Sequence, residues 1–84
     1  MNVMFSPEAW EDYLYWQRID KKAVSKINSL IKEISRNPYE GNGNPEALKH
    51  RWSGFWSRRI SNEDRLIYRI VDESIEIAQC RLHY

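Results

Sequence analysis

The sequence has a single cysteine, Cys80, so no disulfide can close within the chain, and a reducing compartment such as the cytoplasm is the expected setting. Long apolar runs are missing too. No stretch approaches the roughly 20 residues that a membrane span needs, and the start, MNVMFSPEAW, has neither a basic lead nor the apolar run of a secretion signal. A soluble protein with no membrane association is expected. Bulk charge is also scarce: the formal net charge is +1, which argues against a general polyanion binder. With only 84 residues and no internal repeat, a single domain spanning 1–84 is expected. A domain of that size buries only about 60 to 65% of its unfolded surface. Its four Trp and five Tyr therefore matter, since each aromatic ring buries about 150 to 250 Å².

What is present reads in two halves. Residues 1–5 form a short strand, and Ser6-Pro7-Glu8 has the signature of a helix start: a capping hydroxyl, proline at the first helical position and an acid near the positive end of the dipole. A first helix runs to about Arg18, with Trp10, Tyr13, Leu14 and the stem of Gln17 at helical spacing. Asp20 caps a second helix, whose stripe of Val24, Ile27, Ile31 and Ile34 is widened by Leu30. That helix must stop near Asn37, because the residue before Pro38 disfavours helical backbone. PYEGNGNP (38–45) is a loop by composition.

After the loop the period changes to two. Phe55–Ile60, Arg65–Val71 and Ile75–Leu82 read as strands of an antiparallel meander, joined at Asn62-Glu63-Asp64 and Asp72-Glu73-Ser74. The expected fold is α+β: two N-terminal helices packed on one face of a small, mainly antiparallel sheet. Strand parity puts Leu66, Tyr68 and Ile70 with Ala78, Cys80 and Leu82 on the core face. The other face receives Arg65, Ile67 and Arg69 beside Gln79, Arg81 and His83. With three-residue turns, Arg59 lies opposite Ile67 and Arg65 opposite His83.

Charge is patterned although the net value is small. Between Ala47 and Asn62 stand Lys49, Arg51, Arg58 and Arg59, with His50 among them and no acid. Such a cluster is ordinarily a solvated face, and here it is also a candidate anion-facing surface. Glu46 opens this acid-free segment, so a lone carboxylate is expected beside Lys49, Arg59 and Arg65. His83 alone is an incidental polar residue near a terminus; held at the end of a strand, its imidazole can exchange a proton near neutral pH. One carboxylate, one histidine and converging guanidiniums are what metal-free phosphodiester cleavage requires. A base takes the RNA 2′-hydroxyl proton, an acid protonates the 5′-oxygen, and cations stabilise the phosphoryl charge. The other features read plainly. Cys80 is a small buried hydrophobe, Trp10, Tyr13 and Trp16 are core or interface aromatics, and His50 has no partner at metal-ligand spacing, so no metal or other cofactor is assigned.

EALKHRWSGFWSRRIS (46–61), the strand RLIY, the ending CRLHY and WEDYLYW near the start together resemble the YoeB toxins of the RelE family of messenger-RNA interferases. The resemblance covers nearly the whole chain. It implies a RelE-like fold and a ribosome-dependent endoribonuclease that cuts mRNA in the A site of the 70S ribosome. It also implies neutralisation by a YefM-type antitoxin, contact with operator DNA only through the antitoxin complex, and a homodimer. By the same resemblance Glu46 is the general base, His83 the general acid, Arg65 the phosphate-stabilising cation and Tyr84 a substrate-orienting group, with Lys49 and Arg59 assisting on phosphate. The chain ending at Tyr84 is then expected to leave room for RNA. Where the family commonly has proline and an aromatic residue this chain has Ala47 and Leu82, and Arg51-Trp52 is less usual; none of these removes an acid, base or cation. Two other readings fit the residues: a non-catalytic module that grips RNA or the ribosome, and an inactive relative that binds antitoxin and co-represses its operon.

Overall fold

The computed structural model describes residues 1–82. Ser6 starts helix α1 (Pro7–Ile19) by accepting the Ala9 N–H on its hydroxyl at 3.0 Å. Asp20 both ends α1 and starts α2 (Lys21–Arg36), because its carboxylate accepts from Lys22 N and Ala23 N. The stripe expected on α2 packs as read: Ile27, Leu30 and Ile34 are buried together with Ala23, and Val24 and Ile31 are partly buried.

The first helix is rotated from the expected face. Ala9 and Trp16 are buried, whereas Trp10 is 47% exposed. Trp16 points inward because its indole N–H finds an acceptor there, donating to the Cys80 carbonyl at 2.8 Å. Trp10 instead stacks on Tyr13 at 5.9 Å and meets Phe5 edge-on at 5.7 Å. That outer aromatic group flanks the core without entering it.

The sheet has five strands in the order β1-β5-β4-β3-β2: β1 (Asn2–Phe5), β2 (Glu46–Ala47), β3 (Trp56–Arg59), β4 (Arg65–Val71) and β5 (Ser74–Gln79). β1 runs parallel to β5 and every other pair is antiparallel. The short β2 was not anticipated; it pairs Glu46 with Ser57 and Ala47 with Trp56. Both helices cover one face, where Leu66, Tyr68, Ile75, Ile77 and Cys80 meet the buried helix residues. The α+β arrangement is as expected.

Two register expectations are corrected. Arg59 lies opposite Arg65, and Ile67 opposite Ser57, not Arg59. The β3–β4 link takes in residues 60–64 and closes through Ile60 N and Ser61 N on the Asp64 carbonyl, a shift of two residues that preserves each side chain's face. Between β4 and β5 the turn is only Asp72-Glu73, with Asp72 at φ 55°, so Ile75 pairs with Ile70 and Ile77 with Tyr68. A bulge beside Ile67 and Tyr68 then restores the expected parity, placing Gln79 opposite Ile67 and Cys80 in the core. β5 stops there. Leu82, expected on the core face, is 53% exposed at φ 64°. Cys80 is fully buried as read, and burial pushes its thiol up to about 12.

Arg58 departs most from expectation. Counted among the anion-facing cations, it is fully buried on the helix side of the sheet. Its Nε donates to the Tyr68 hydroxyl, Nη1 to the Asn42 carbonyl, and Nη2 to the carbonyls of Asn37 and Glu40. Tyr68 in turn donates to Pro38 O, and burial raises its phenol above the ordinary 10.0 against the opposing pull of Arg58. The loop over 37–45 is thus wrapped on a buried guanidinium and delivers the chain to β2.

Candidate active site

The face of the sheet turned away from the helices carries Glu46, Arg59 and Arg65 among the residues singled out for chemistry. One row across it reads Glu46, Ser57, Ile67, Gln79, each opposite the next on successive strands. The adjacent row sets Arg59 directly against Arg65. Glu46 and Arg59 are therefore diagonal neighbours, a relation that separates residues by about 7–8 Å. Glu46 and Arg65 stand two strands and one row apart, or roughly 12 Å between Cα atoms at standard sheet spacings. A carboxylate and two guanidinium stems thus stand on adjacent rows of one open face.

The rows differ in exposure, which separates floor from rim. Ser57, Ile67 and Gln79 are buried although they lie outside the helix-side core. Glu46, Lys49 and Arg59 are exposed, and Arg65 is half-buried. Glu46 and Lys49 also line an open cleft of about 540 Å³ that continues past His50 and Arg51 to Trp52. This cleft exists because residues 48–55 fold back on themselves: Leu48 N donates to Phe55 O, and Trp52 N and Ser53 N close a tight turn with His50 at φ 58°.

Arg65 is not a free fork. Its Nη1 donates to the carbonyls of Ser61 at 2.7 Å, Asn62 at 3.2 Å and Asp64 at 3.1 Å, all in the turn that precedes it. Among the described residues Nε and Nη2 have no acceptor, so one edge of the guanidinium is anchored while the other can meet an anion. Arg69, farther along β4, pairs with Glu76 at 2.8 Å and lies over the Phe55 ring at 4.9 Å.

The sequence-predicted group is thus brought together in part. Glu46, Arg59 and Arg65 share the open face and Lys49 lines the cleft beside Glu46. Arg58 is excluded by its burial. Arg81, expected on the open face, lies over the Tyr15 ring at 3.8 Å against the first helix. His83 and Tyr84 lie outside the described residues, and the expected Arg65–His83 pairing falls there with them. The last described contact toward them is the Arg65 N–H on the Leu82 carbonyl at 3.1 Å.

Sequence reasoning missed the groups that hold the segment leaving β5. Asp12 Oδ2 accepts the Cys80 N–H at 3.0 Å, and Trp16 donates to the Cys80 carbonyl. Burial raises the Asp12 carboxyl above 3.8, partly offset by the Cys80 N–H. Asp64 accepts the Leu82 N–H on Oδ1 at 2.7 Å. By sequence Asp64 is only a turn residue, and no local pattern marks a carboxylate that bonds a backbone 18 positions away.

A two-helix layer on one side of a mainly antiparallel five-stranded sheet, with the other face left open, is the RelE-like α+β fold. The family model described as "YoeB-like toxin of bacterial type II toxin-antitoxin system" matches residues 5–84. Toxin YoeB of Escherichia coli (strain K12) is 58% identical over 84 residues, 100% of both chains. The YoeB/ParE toxin from Agrobacterium tumefaciens superposes with a TM-score of 0.97 at 44% identity over 100% of each chain. The Staphylococcus aureus YoeB, solved as a heterotetrameric complex with YefM and as a dimer, gives TM-scores of 0.93 and 0.94 at 53% identity, covering 100% of this chain and 98% of the other. The chain belongs to the YoeB-like toxins of bacterial type II toxin–antitoxin systems.

Proposed function

We propose that the chain is a ribosome-dependent endoribonuclease that cleaves mRNA in the 70S A site and so inhibits translation. Glu46 takes the proton of the 2′-hydroxyl, whose oxygen attacks the adjacent phosphorus. His83 protonates the departing 5′-oxygen, leaving a 2′,3′-cyclic phosphate on one fragment and a 5′-hydroxyl on the other. Arg65 meets the phosphoryl oxygens with its unbound edge, Lys49 and Arg59 hold flanking phosphates, and Tyr84 orients the substrate. The observation that carries this reading is the row geometry: Glu46 stands diagonal to Arg59, and Arg59 lies directly opposite Arg65, on one open face.

Membership of the family, and the complex and dimer solved for the S. aureus relative, support a YefM-type antitoxin as partner and a homodimer for this chain. Operator DNA is contacted only through the antitoxin complex. A cytoplasmic site of action fits the single buried thiol and the finding that no helix among the described residues is long and apolar enough to cross a membrane.

Primer extension on mRNA in translating ribosomes, with and without the protein, tests the activity. Glu46→Gln and His83→Gln are each expected to slow single-turnover cleavage by roughly 10²- to 10⁴-fold with ribosome affinity little changed. Wild-type rates in both variants would remove the roles given to Glu46 and His83, whereas absence of cleavage by the unmodified protein would leave a binding module or an antitoxin-dependent co-repressor.

A further inference from the structure

The chain leaves the sheet after Gln79, yet the three residues that follow are held at more points than a frayed end needs. Two contacts come from α1: Asp12 on the Cys80 N–H and Trp16 on the Cys80 carbonyl. A third is the Arg81 guanidinium over the Tyr15 ring at 3.8 Å. The last two act on Leu82 from the opposite side, where Asp64 Oδ1 accepts its N–H at 2.7 Å and the Arg65 N–H donates to its carbonyl at 3.1 Å. Leu82 is therefore gripped at its N–H and its carbonyl by consecutive residues, Asp64 at the end of the β3–β4 link and Arg65 at the start of β4. Its φ of 64° lies in the left-handed region, a conformation a leucine adopts only when contacts impose it.

Asp64 also organises the cation. Its carbonyl accepts from Arg65 Nη1, Ile60 N and Ser61 N, and its Oδ2 accepts the Ser61 hydroxyl at 2.9 Å. One residue thus closes the turn, anchors one edge of the Arg65 guanidinium and holds the Arg81–Leu82 peptide. Covalent geometry places consecutive Cα atoms only 3.8 Å apart, so whatever fixes Leu82 restricts the origin of the next side chain.

We infer that Asp64 is a positioning residue for the cleavage reaction: its carboxylate holds the backbone of Leu82, the residue that precedes the one given the acid role, beside Arg65. The inference rests on the acid role given to His83 above, and a leaving-group test separates the two. The natural 5′-oxygen needs a proton as its bond to phosphorus breaks. A 5′-bridging sulfur leaves as a stable thiolate and needs none. A defect in placing the acid must therefore shrink on the sulfur substrate, whereas a general loosening of the fold slows both.

The experiment is single-turnover cleavage on ribosomes programmed with mRNA carrying either oxygen or sulfur at the cut position. Wild type, Asp64→Ala, Asp64→Asn and His83→Gln are compared, with thermal unfolding measured for each. Asp64→Ala is expected to slow the oxygen substrate by roughly 10- to 100-fold, the scale of a small misplacement of a reacting group, and the sulfur substrate by less than about threefold. Asp64→Asn retains an acceptor for the Leu82 N–H and should stay within about threefold of wild type on both. Equal slowing of both substrates by Asp64→Ala, or no slowing of either, overturns the inference. If His83→Gln slows both substrates equally, the acid assignment itself falls, and the positioning role falls with it.

Discussion

At the scale of single residues, the candidate site draws on side chains that are also part of the structure. Arg65 anchors one edge of its guanidinium on three turn carbonyls and leaves the other unbonded among the described residues. A lysine keeps the charge but cannot span both tasks, because its ammonium is a compact point donor without the planar fork. Arg65→Lys is expected to lose much of the cleavage rate, roughly 10-fold or more, and full activity in that variant would make Arg65 a diffuse electrostatic contributor. Asp12 is the opposite case, a carboxylate kept for its hydrogen bond to Cys80 at some electrostatic cost. Burial raises its carboxyl in the folded state, so between 3.8 and that raised value the folded chain holds a proton more tightly than the unfolded chain. Stability falls as pH rises through that window and levels off above it. Asp12→Asn removes the titration and keeps an acceptor for the Cys80 N–H. The unfolding free energy of the variant relative to wild type should therefore increase on going from pH 3 toward pH 7; a constant difference would show that burial of the charge is without consequence.

At the scale of elements, the sequence carried the helices and β4 well. Capping at Ser6 and Asp20 and the break before Pro38 are local signals, and local signals were sufficient there. What depended on distant partners was not legible. The two-residue β2 has no period of its own and exists only because β3 supplies its hydrogen bonds. The bulge opposite Ile67 splits β5 into two parities, so Ile75 and Ile77 face the core where simple alternation from Cys80 had put Ala78. Arg58 and Arg59 are adjacent cations in the sequence, and only the strand's alternation sends one into the interior and the other to the open face. The buried one fixes the loop that leads to Glu46. Arg58→Met leaves the carbonyls of Asn37, Glu40 and Asn42 and the Tyr68 hydroxyl without their donor, at a cost of about 3 kcal/mol or more. In a domain of this size that lowers the unfolding temperature by about 10 °C or more. Limited proteolysis should cut first between Pro38 and Pro45. An unchanged melting temperature would mean that the loop is held by other contacts.

For the molecule as a whole, the near-zero net charge and the polyanionic target proposed above are reconciled by segregation. Lys49 and Arg59 are exposed beside the site, whereas the acids of α1 lie on the other layer or in the segment's own hydrogen bonds. Charges farther apart than about 8 to 10 Å are largely screened at physiological salt, so a phosphate approaching the open face responds to the cations there and not to the total of +1. Each phosphate neutralised by a protein cation adds about 0.7 to the slope of log affinity against log salt on single strands. Removing Lys49 and Arg59 together, as Lys49→Gln with Arg59→Gln, should weaken half-saturation by ribosomes and reduce that slope by about 1 to 2. The single-turnover rate at saturation should stay within about threefold of wild type, since neither residue exchanges a proton with substrate. The comparison is Lys22→Gln with Lys32→Gln, which makes the same change in net charge on exposed positions of α2. If the two double variants shift affinity and slope alike, total charge governs the encounter and the open face has no special claim on RNA; if only the first does, the phosphates are read where Glu46 and Arg65 stand.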